Sequence, residues 1–130
     1  MKTDKRFIKE ARTVLLVDDN KCLLEVCQEF LEAMGYRVLI AREWKEAIEV
    51  FRQNQNEIDL VILDIGMPTM DGGEAYDRLK EITPNVKVLL LTGFSIDGEA
   101  TEILRRGCNG LIQKPFRMNE LAEKIRGILV

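Results

Sequence analysis

The stretch Thr13-Val14-Leu15-Leu16-Val17-Asp18-Asp19-Asn20 decides the fold. Four successive apolar residues run without interruption into three polar ones. A strand with one wet face alternates apolar and polar residues; a continuous apolar run bounded by turn-forming residues is a strand buried on both faces. Burial on both faces belongs to a parallel sheet, because its crossover connections lay helices over each side.

Working outward, the pattern repeats. Arg37–Ala41 reads as a second strand, Asp59–Leu63 as a third running into Asp64, Val86–Leu91 as a fourth ending in Thr92, and Gly110–Gln113 as a short fifth meeting Lys114-Pro115. Between them the apolar period lengthens to that of a helix. The first helix carries Leu23, Cys27, Phe30, Leu31 and Met34 on one face and stops at Gly35; the second carries Trp44, Ala47, Ile48 and Phe51. Gly72-Gly73 opens a third with Ala75, Leu79 and Ile82 inward, which Pro84 ends; the fourth, Asp97–Arg106, turns Ala100, Ile103 and Leu104 inward and stops at Gly107. The last presents Met118, Leu121, Ile125 and Ile128. Strand–helix alternation with right-handed crossovers predicts an α/β, flavodoxin-like, doubly wound five-stranded parallel sheet in the order 2-1-3-4-5 with five helices. The expected domain is 13–130, with 1–12 an N-terminal arm or linker remnant.

Composition narrows the chemistry. The chain has 130 residues, of which 46% are apolar, enough for one core of ordinary size. A net charge of -3 speaks against nucleic acid as the main partner, since phosphate-backbone binding wants a basic face. No apolar stretch approaches the roughly 18 residues of a membrane span, and no secretory leader is visible, so the expected location is cytoplasmic. Cys22, Cys27 and Cys108 are isolated thiols with no CxxC pair, which suits a reducing compartment. The absence of histidine excludes Cys/His zinc sites, Ser/His and Cys/His triads and a histidine phosphocarrier within this chain. Chemistry here must run on carboxylates, hydroxyls, amines and a borrowed ion.

In open α/β sheets, ligands bind beyond the carboxyl ends of the strands, where strand order reverses. Asp18 and Asp19 follow the first strand, Asp64 the third, Thr92 the fourth and Lys114 the fifth. Taken singly, each has a plain structural reading: Asp18, Asp19 and Asn20 as helix caps, and the others as turn residues. Together, three carboxylates at one rim repel one another and call for a cation. Mg²⁺ fits, being a hard ion held by one or two carboxylates and phosphate oxygens. A carboxylate can also attack phosphorus to form an aspartyl-phosphate, with Lys114 neutralising charge and Thr92 following a new phosphoryl oxygen.

Four segments carry a family resemblance: Val14-Leu-Leu-Val-Asp-Asp-Asn20, Leu63-Asp-Ile-Gly-Met-Pro-Thr-Met-Asp-Gly72, Val88-Leu-Leu-Leu-Thr-Gly93 and Gln113-Lys-Pro-Phe116. In this order and at this spacing they resemble the receiver domain of bacterial response regulators, over Thr13 to about Leu129. The resemblance implies that Asp64 is the phosphorylated aspartate. It implies Mg²⁺ held by Asp18, Asp19, Asp64 and the backbone carbonyl of Gly66, with Thr92 as the switch hydroxyl, Lys114 as the family's lysine and a cis Lys114–Pro115 bond. The implied partner is a histidine kinase or histidine phosphotransfer domain that donates from phosphohistidine, with a possible downstream protein target met through the last two helices. The implied protein is a monomer or weak dimer that catalyses only its own phosphorylation and slow dephosphorylation. Gly66-Met67-Pro68 and the stretch from Gly93 to Gly98 look somewhat like hybrid sensor kinase receivers. The last helix ends at Val130, so no output domain is expected here.

The sequence departs from the family pattern in two ways. Leu111 stands where many receivers place an aromatic that reports phosphorylation. Gly66 and Phe94, two residues beyond Asp64 and Thr92, offer no polar group to orient an attacking water, so a long-lived phosphoryl group is expected. Competing readings are an aspartyl-phosphate phosphatase, a flavin or nucleotide binder and a degenerate scaffold. The first pairs aspartates one residue apart after strand one, whereas Asp18 and Asp19 are adjacent; the second needs a Gly-rich phosphate loop where Asp18-Asp19-Asn20 stands; the third sits poorly with all five functional positions present.

Overall fold

The computed structural model describes residues 12–67, 71–93 and 98–130. Five strands, β1 (Thr13–Val17), β2 (Arg37–Ala41), β3 (Ile58–Asp64), β4 (Val88–Thr92) and β5 (Gly110–Gln113), form one parallel sheet in the order β2-β1-β3-β4-β5. Helices α1 (Lys21–Ala33), α2 (Trp44–Gln53), α3 (Gly72–Ile82), α4 (Gly98–Arg105) and α5 (Met118–Leu129) alternate with them. The predicted flavodoxin-like arrangement is the one observed.

The uninterrupted strands feed two cores. Leu15, Val17, Val61, Leu63, Val88 and Leu90 point to one side, where α2, α3 and α4 contribute Phe51, Tyr76, Leu79 and Ile103. Val14, Leu16, Leu60, Ile62, Leu89 and Leu91 point to the other, against Leu24, Cys27 and Leu31 of α1 and Leu121 and Ile125 of α5. Every residue of β1 and β4 is buried, as the apolar runs require.

Helix ends follow local chemistry. Asn20 caps α1, its side-chain oxygen accepting from the Leu23 N–H at 3.1 Å, and Asp71 caps α3 by accepting from Glu74 N–H at 3.1 Å. Gly35 and Gly107 take positive φ values of 100° and 107° just past α1 and α4, which only glycine does without strain. Gly72 is required for a different reason: a Cβ there would stand 2.7 Å from Cγ2 of Ile65.

Expectations shift at five elements. β3 starts at Ile58 and includes Asp64, and β4 covers Val88–Thr92 rather than Val86–Leu91. On α1, Leu24 is buried alongside the expected Cys27 and Leu31, while Leu23 and Phe30 are half-buried. Leu104, expected inward, is 36% exposed, because the eight residues of α4 bury only a narrow stripe centred on Ala100 and Ile103. On α5, Ala122 and Leu129 are buried while Met118 and Ile128 lie at the margin. Residues 1–11, Pro68, Phe94 and Asp97 lie outside the described residues.

One irregularity sits at the amino ends of the strands. β1 pairs Thr13 with Ile58 but Val14 with Leu60, skipping Asp59. The skipped residue's carboxylate accepts from the Thr13 N–H at 2.8 Å, which satisfies the donor that the break in the ladder would strand.

Candidate functional site

Strand order reverses between β1 and β3, and the crevice beyond their carboxyl ends holds the charged residues. Val17 pairs with Leu63, so Asp18 and Asp64 leave the sheet side by side. Asp64 in turn pairs with Leu91, which puts Thr92 one residue further along the neighbouring strand. The Lys114 N–H donates to the Thr92 carbonyl at 2.7 Å, fixing the end of β5 against the end of β4. All the expected site residues thus gather at one rim.

Asp18, Asp64 and Thr92 are 1%, 4% and 3% exposed, whereas Asp19 stands in solvent at the mouth. Both buried carboxylates are gripped in the same way: Oδ1 of Asp18 accepts from the Asn20 N–H and Oδ1 of Asp64 from the Gly66 N–H, each at 2.9 Å. These are Asx turns, in which an aspartate bonds the main chain two residues on. Each turn leaves Oδ2 facing inward, and Nζ of Lys114 reaches both, at 2.7 Å from Asp18 and 3.2 Å from Asp64. The Lys114–Pro115 bond is cis.

Sequence reading treated Asn20 and Gly66 as a cap and a carbonyl donor; it missed their amide N–H groups as the clamps that orient the carboxylates. The Asp-x-Asn and Asp-x-Gly spacings were the available signal.

The electrostatics follow from burial. Desolvation pushes Asp64 above the ordinary carboxylate range; the Gly66 N–H pulls it down, the Asp18 charge pushes it up and Lys114 pulls it down, with burial prevailing. Burial would lower Lys114, but its hydrogen bond to Asp18 and the two carboxylate charges outweigh that and hold it protonated more firmly than a free lysine. Cys27 lies beneath the site in the α1 core; burial, aided by the Asp18 charge, pushes its thiol up to about 11, so it is an inert packing residue there.

Ligand oxygens of Asp18, Asp19 and Asp64 all lie within 4.8 Å of one another. Three carboxylates against one ammonium leave an excess of two negative charges. An all-oxygen donor set carrying that excess fits a hard divalent cation such as Mg²⁺ and is a poor fit for zinc, which favours nitrogen and sulfur. A groove of about 500 Å³ opens over Lys114, lined by Asn20, Leu23, Gly93, Pro115 and Phe116.

Comparison with known proteins agrees with this geometry. Residues 14–126 match the model of the response regulator receiver domain. The chain is 33% identical over 112 residues to the autoinducer 1 sensor kinase/phosphatase LuxN of Vibrio campbellii, covering 86% of this chain and 13% of LuxN. It is 30% identical over 116 residues to the response regulator SaeR of Staphylococcus aureus, covering 89% of this chain and 50% of SaeR. The chain therefore spans half or less of these relatives. Among solved structures, a response regulator receiver domain protein of Clostridium thermocellum superposes with a TM-score of 0.85 at 30% identity, covering 91% of this chain and 94% of that one. No helix among the described residues is long and apolar enough to cross a membrane. With the family's model matched over nearly the whole chain, this chain belongs to the response regulator receiver domain family.

Proposed function

We propose that the chain is a Mg²⁺-dependent phosphoryl switch in which Asp64 takes a phosphoryl group from a phosphohistidine of a histidine kinase or histidine phosphotransfer domain. The observation that carries this reading is the bridge from Lys114 to Asp18 and Asp64, which leaves the acidic trio two charges short of neutral. Asp18, Asp19, Asp64 and the Gly66 carbonyl would hold Mg²⁺, which supplies charge neutralisation to the phosphoryl oxygens.

The remaining roles belong to this chain's own groups. The Gly66 N–H and Lys114 hold the Asp64 carboxylate still, so attack on phosphorus needs little reorganisation. One carboxylate oxygen forms the new P–O bond as the donor's P–N bond breaks, and the bonding pair returns to the imidazole nitrogen. Lys114 follows a phosphoryl oxygen, and the Thr92 hydroxyl donates to another. The groove beside Asn20, Pro115 and Phe116 gives the donor histidine its approach.

The readout runs through α4, β5 and α5 to a possible downstream protein. The domain works as a switch, catalysing only its own phosphorylation and slow dephosphorylation. It acts in the cytoplasm, where its three free thiols persist, as a monomer or weak dimer and without nucleic acid. Intact-mass spectrometry after incubation with a small phosphoryl donor tests the reading. One added phosphoryl group on the wild type, lost with chelator and with Asp64→Ala, is expected; no adduct under any condition refutes it.

A further inference from the structure

Gly127 sits inside α5 and is exposed. Glycine there weakens a helix relative to alanine, and neither usual reason for one applies. Its φ is not positive, and a Cβ at this position would meet nothing within 4 Å. Nothing within the chain therefore requires the missing side chain. Gly127 does line a groove of about 680 Å³ between α5 and the start of β5, shared with Asn109 and Ile128. β5 is the last strand of the sheet, so the groove follows an open edge.

The same flank of α5 carries Arg117, Glu120 and Lys124, all exposed and all lining that groove. At roughly 100° per residue these three and Gly127 fall within about 80° of arc and span about 15 Å of helix. Glu123 lies about 40° beyond the stripe. None of the three charged side chains in the stripe makes an ion pair with another described residue.

The stripe runs positive, negative, positive, glycine, and turned end for end it complements itself. In an antiparallel pair of α5 helices crossing at the level of Ala122, Glu120 faces Lys124 of the second copy. The reverse pair repeats across the two-fold axis. Arg117 then falls over Gly127 of the second copy, where the missing side chain lets the guanidinium reach the carbonyl end of that helix, the negative end of its dipole. Each convex helix enters the groove beside the other, so shape and charge agree.

We propose that this flank is the contact of a homodimer, in which two copies pack their α5 helices antiparallel through Arg117, Glu120, Lys124 and Gly127. A second copy fits because both signs of charge are answered at once; a partner of one sign would be repelled at Glu120 or at the two cations. No residue of α4 is needed. The contact gives a surface to the weak dimer proposed above but does not rest on the phosphoryl-acceptor chemistry. One short helix face is a small interface, so the dissociation constant should be roughly 100 µM and should rise with salt.

Sedimentation equilibrium of the full chain up to about 1 mM, in chelator and without phosphoryl donor, tests this apart from the acceptor reading. Wild type is expected to dimerise. Glu120→Lys sets lysine against lysine twice and is expected to weaken the dimer at least about tenfold. Adding Lys124→Glu restores both pairs with their signs exchanged and is expected to return the affinity to within about threefold of wild type. Gly127→Gln obstructs Arg117 while improving the helix, so it is expected to weaken the dimer about tenfold yet raise the urea midpoint of unfolding. A wild type that stays monomeric, or a double variant as weak as Glu120→Lys, overturns the proposal. So does a dimer that Gly127→Gln leaves unchanged.

Discussion

Nζ of Lys114 stands closer to Asp18, at 2.7 Å, than to any other carboxylate among the described residues. The lysine therefore holds the acidic pocket together before it serves any reaction. Lys114→Met removes the countercharge and leaves two buried carboxylates facing each other. In chelator the variant should lose about 2 kcal/mol, below the full cost of breaking a buried pair because Lys114 keeps some contact with solvent. Mg²⁺ should restore most of the loss. Urea unfolding of both proteins with and without the ion measures this; equal stability in chelator would show that Lys114 does not hold the pocket.

Acid should affect the wild type and Asp64→Asn differently. Because burial raises Asp64 above its unfolded value, the folded protein takes up this proton before the unfolded chain does. Its contribution is thus fully present below the unfolded aspartate pKa and is lost as pH rises through the folded one. On acidification in chelator, wild type should gain ground on Asp64→Asn through the window between those two values. Unfolding free energies across that range test the sign, and a difference that does not change with pH would contradict it.

Gly72 gives a packing prediction away from the carboxylates. Its Cβ would sit 2.7 Å from Cγ2 and 2.8 Å from Cβ of Ile65, and a β-branched neighbour cannot retreat by rotating alone. Gly72→Ala should cost about 2 kcal/mol through overpacking, despite alanine's better helix propensity. Chemical denaturation decides between a loss and the gain that propensity alone would give.

The thiols should separate by reactivity. Cys22 is exposed, whereas Cys27 is fully buried with its pKa raised to about 11 by burial and by Asp18. At pH near 8, iodoacetamide should label Cys22 on the native protein and reach Cys27 only after unfolding, as mapped by peptide mass spectrometry. In the folded state the protonated Cys27 contributes stability below the unfolded thiol pKa, and that contribution fades as pH rises toward 11.

A last prediction concerns the phosphoryl group's lifetime. Gly66 carries no side chain, and a Cβ there would stand 3.4 Å from Oδ1 of Asp64. Nothing at this position orients water, so phosphorylated wild type should persist for many minutes. Gly66→Asn places a polar group over Asp64 and should shorten the lifetime about tenfold. Decay of the phosphorylated mass with time tests both statements, and loss within seconds from wild type would contradict the first.

The sheet and its rim were legible because they rest on local facts. A short uninterrupted apolar run bounded by turn residues and alternating with helix-period stretches reads as a doubly covered strand, and the residue at its end stands at the carboxyl edge, which placed Asp18, Asp64 and Thr92; Lys114 follows the shorter, half-buried β5. Helix phase was less legible. Leu23 and Leu24 are chemically identical neighbours 100° apart, and only packing against α5 and the sheet selects Leu24. Leu104 was misread because an eight-residue helix turns too few times to define its face. The Asn20 and Gly66 clamps had only the Asp-x-Asn and Asp-x-Gly spacings as a signal, because whether an aspartate turns back on the main chain two residues on is settled by the local fold and not by composition or period.

The skipped pairing at Asp59 has an outcome at the opposite end of the sheet. Had β1 and β3 kept step from Thr13 and Ile58 onward, Asp18 would align with Leu63, and Asp64 would overshoot by one residue onto the other face. The carboxylate that accepts from Thr13 sets a frame that is read out about 16 Å away, five strand residues later, as two aspartates abreast. Loss of the Asp59 carboxylate would thus surface as a misaligned Asp18–Asp64 pair in a protein that still folds.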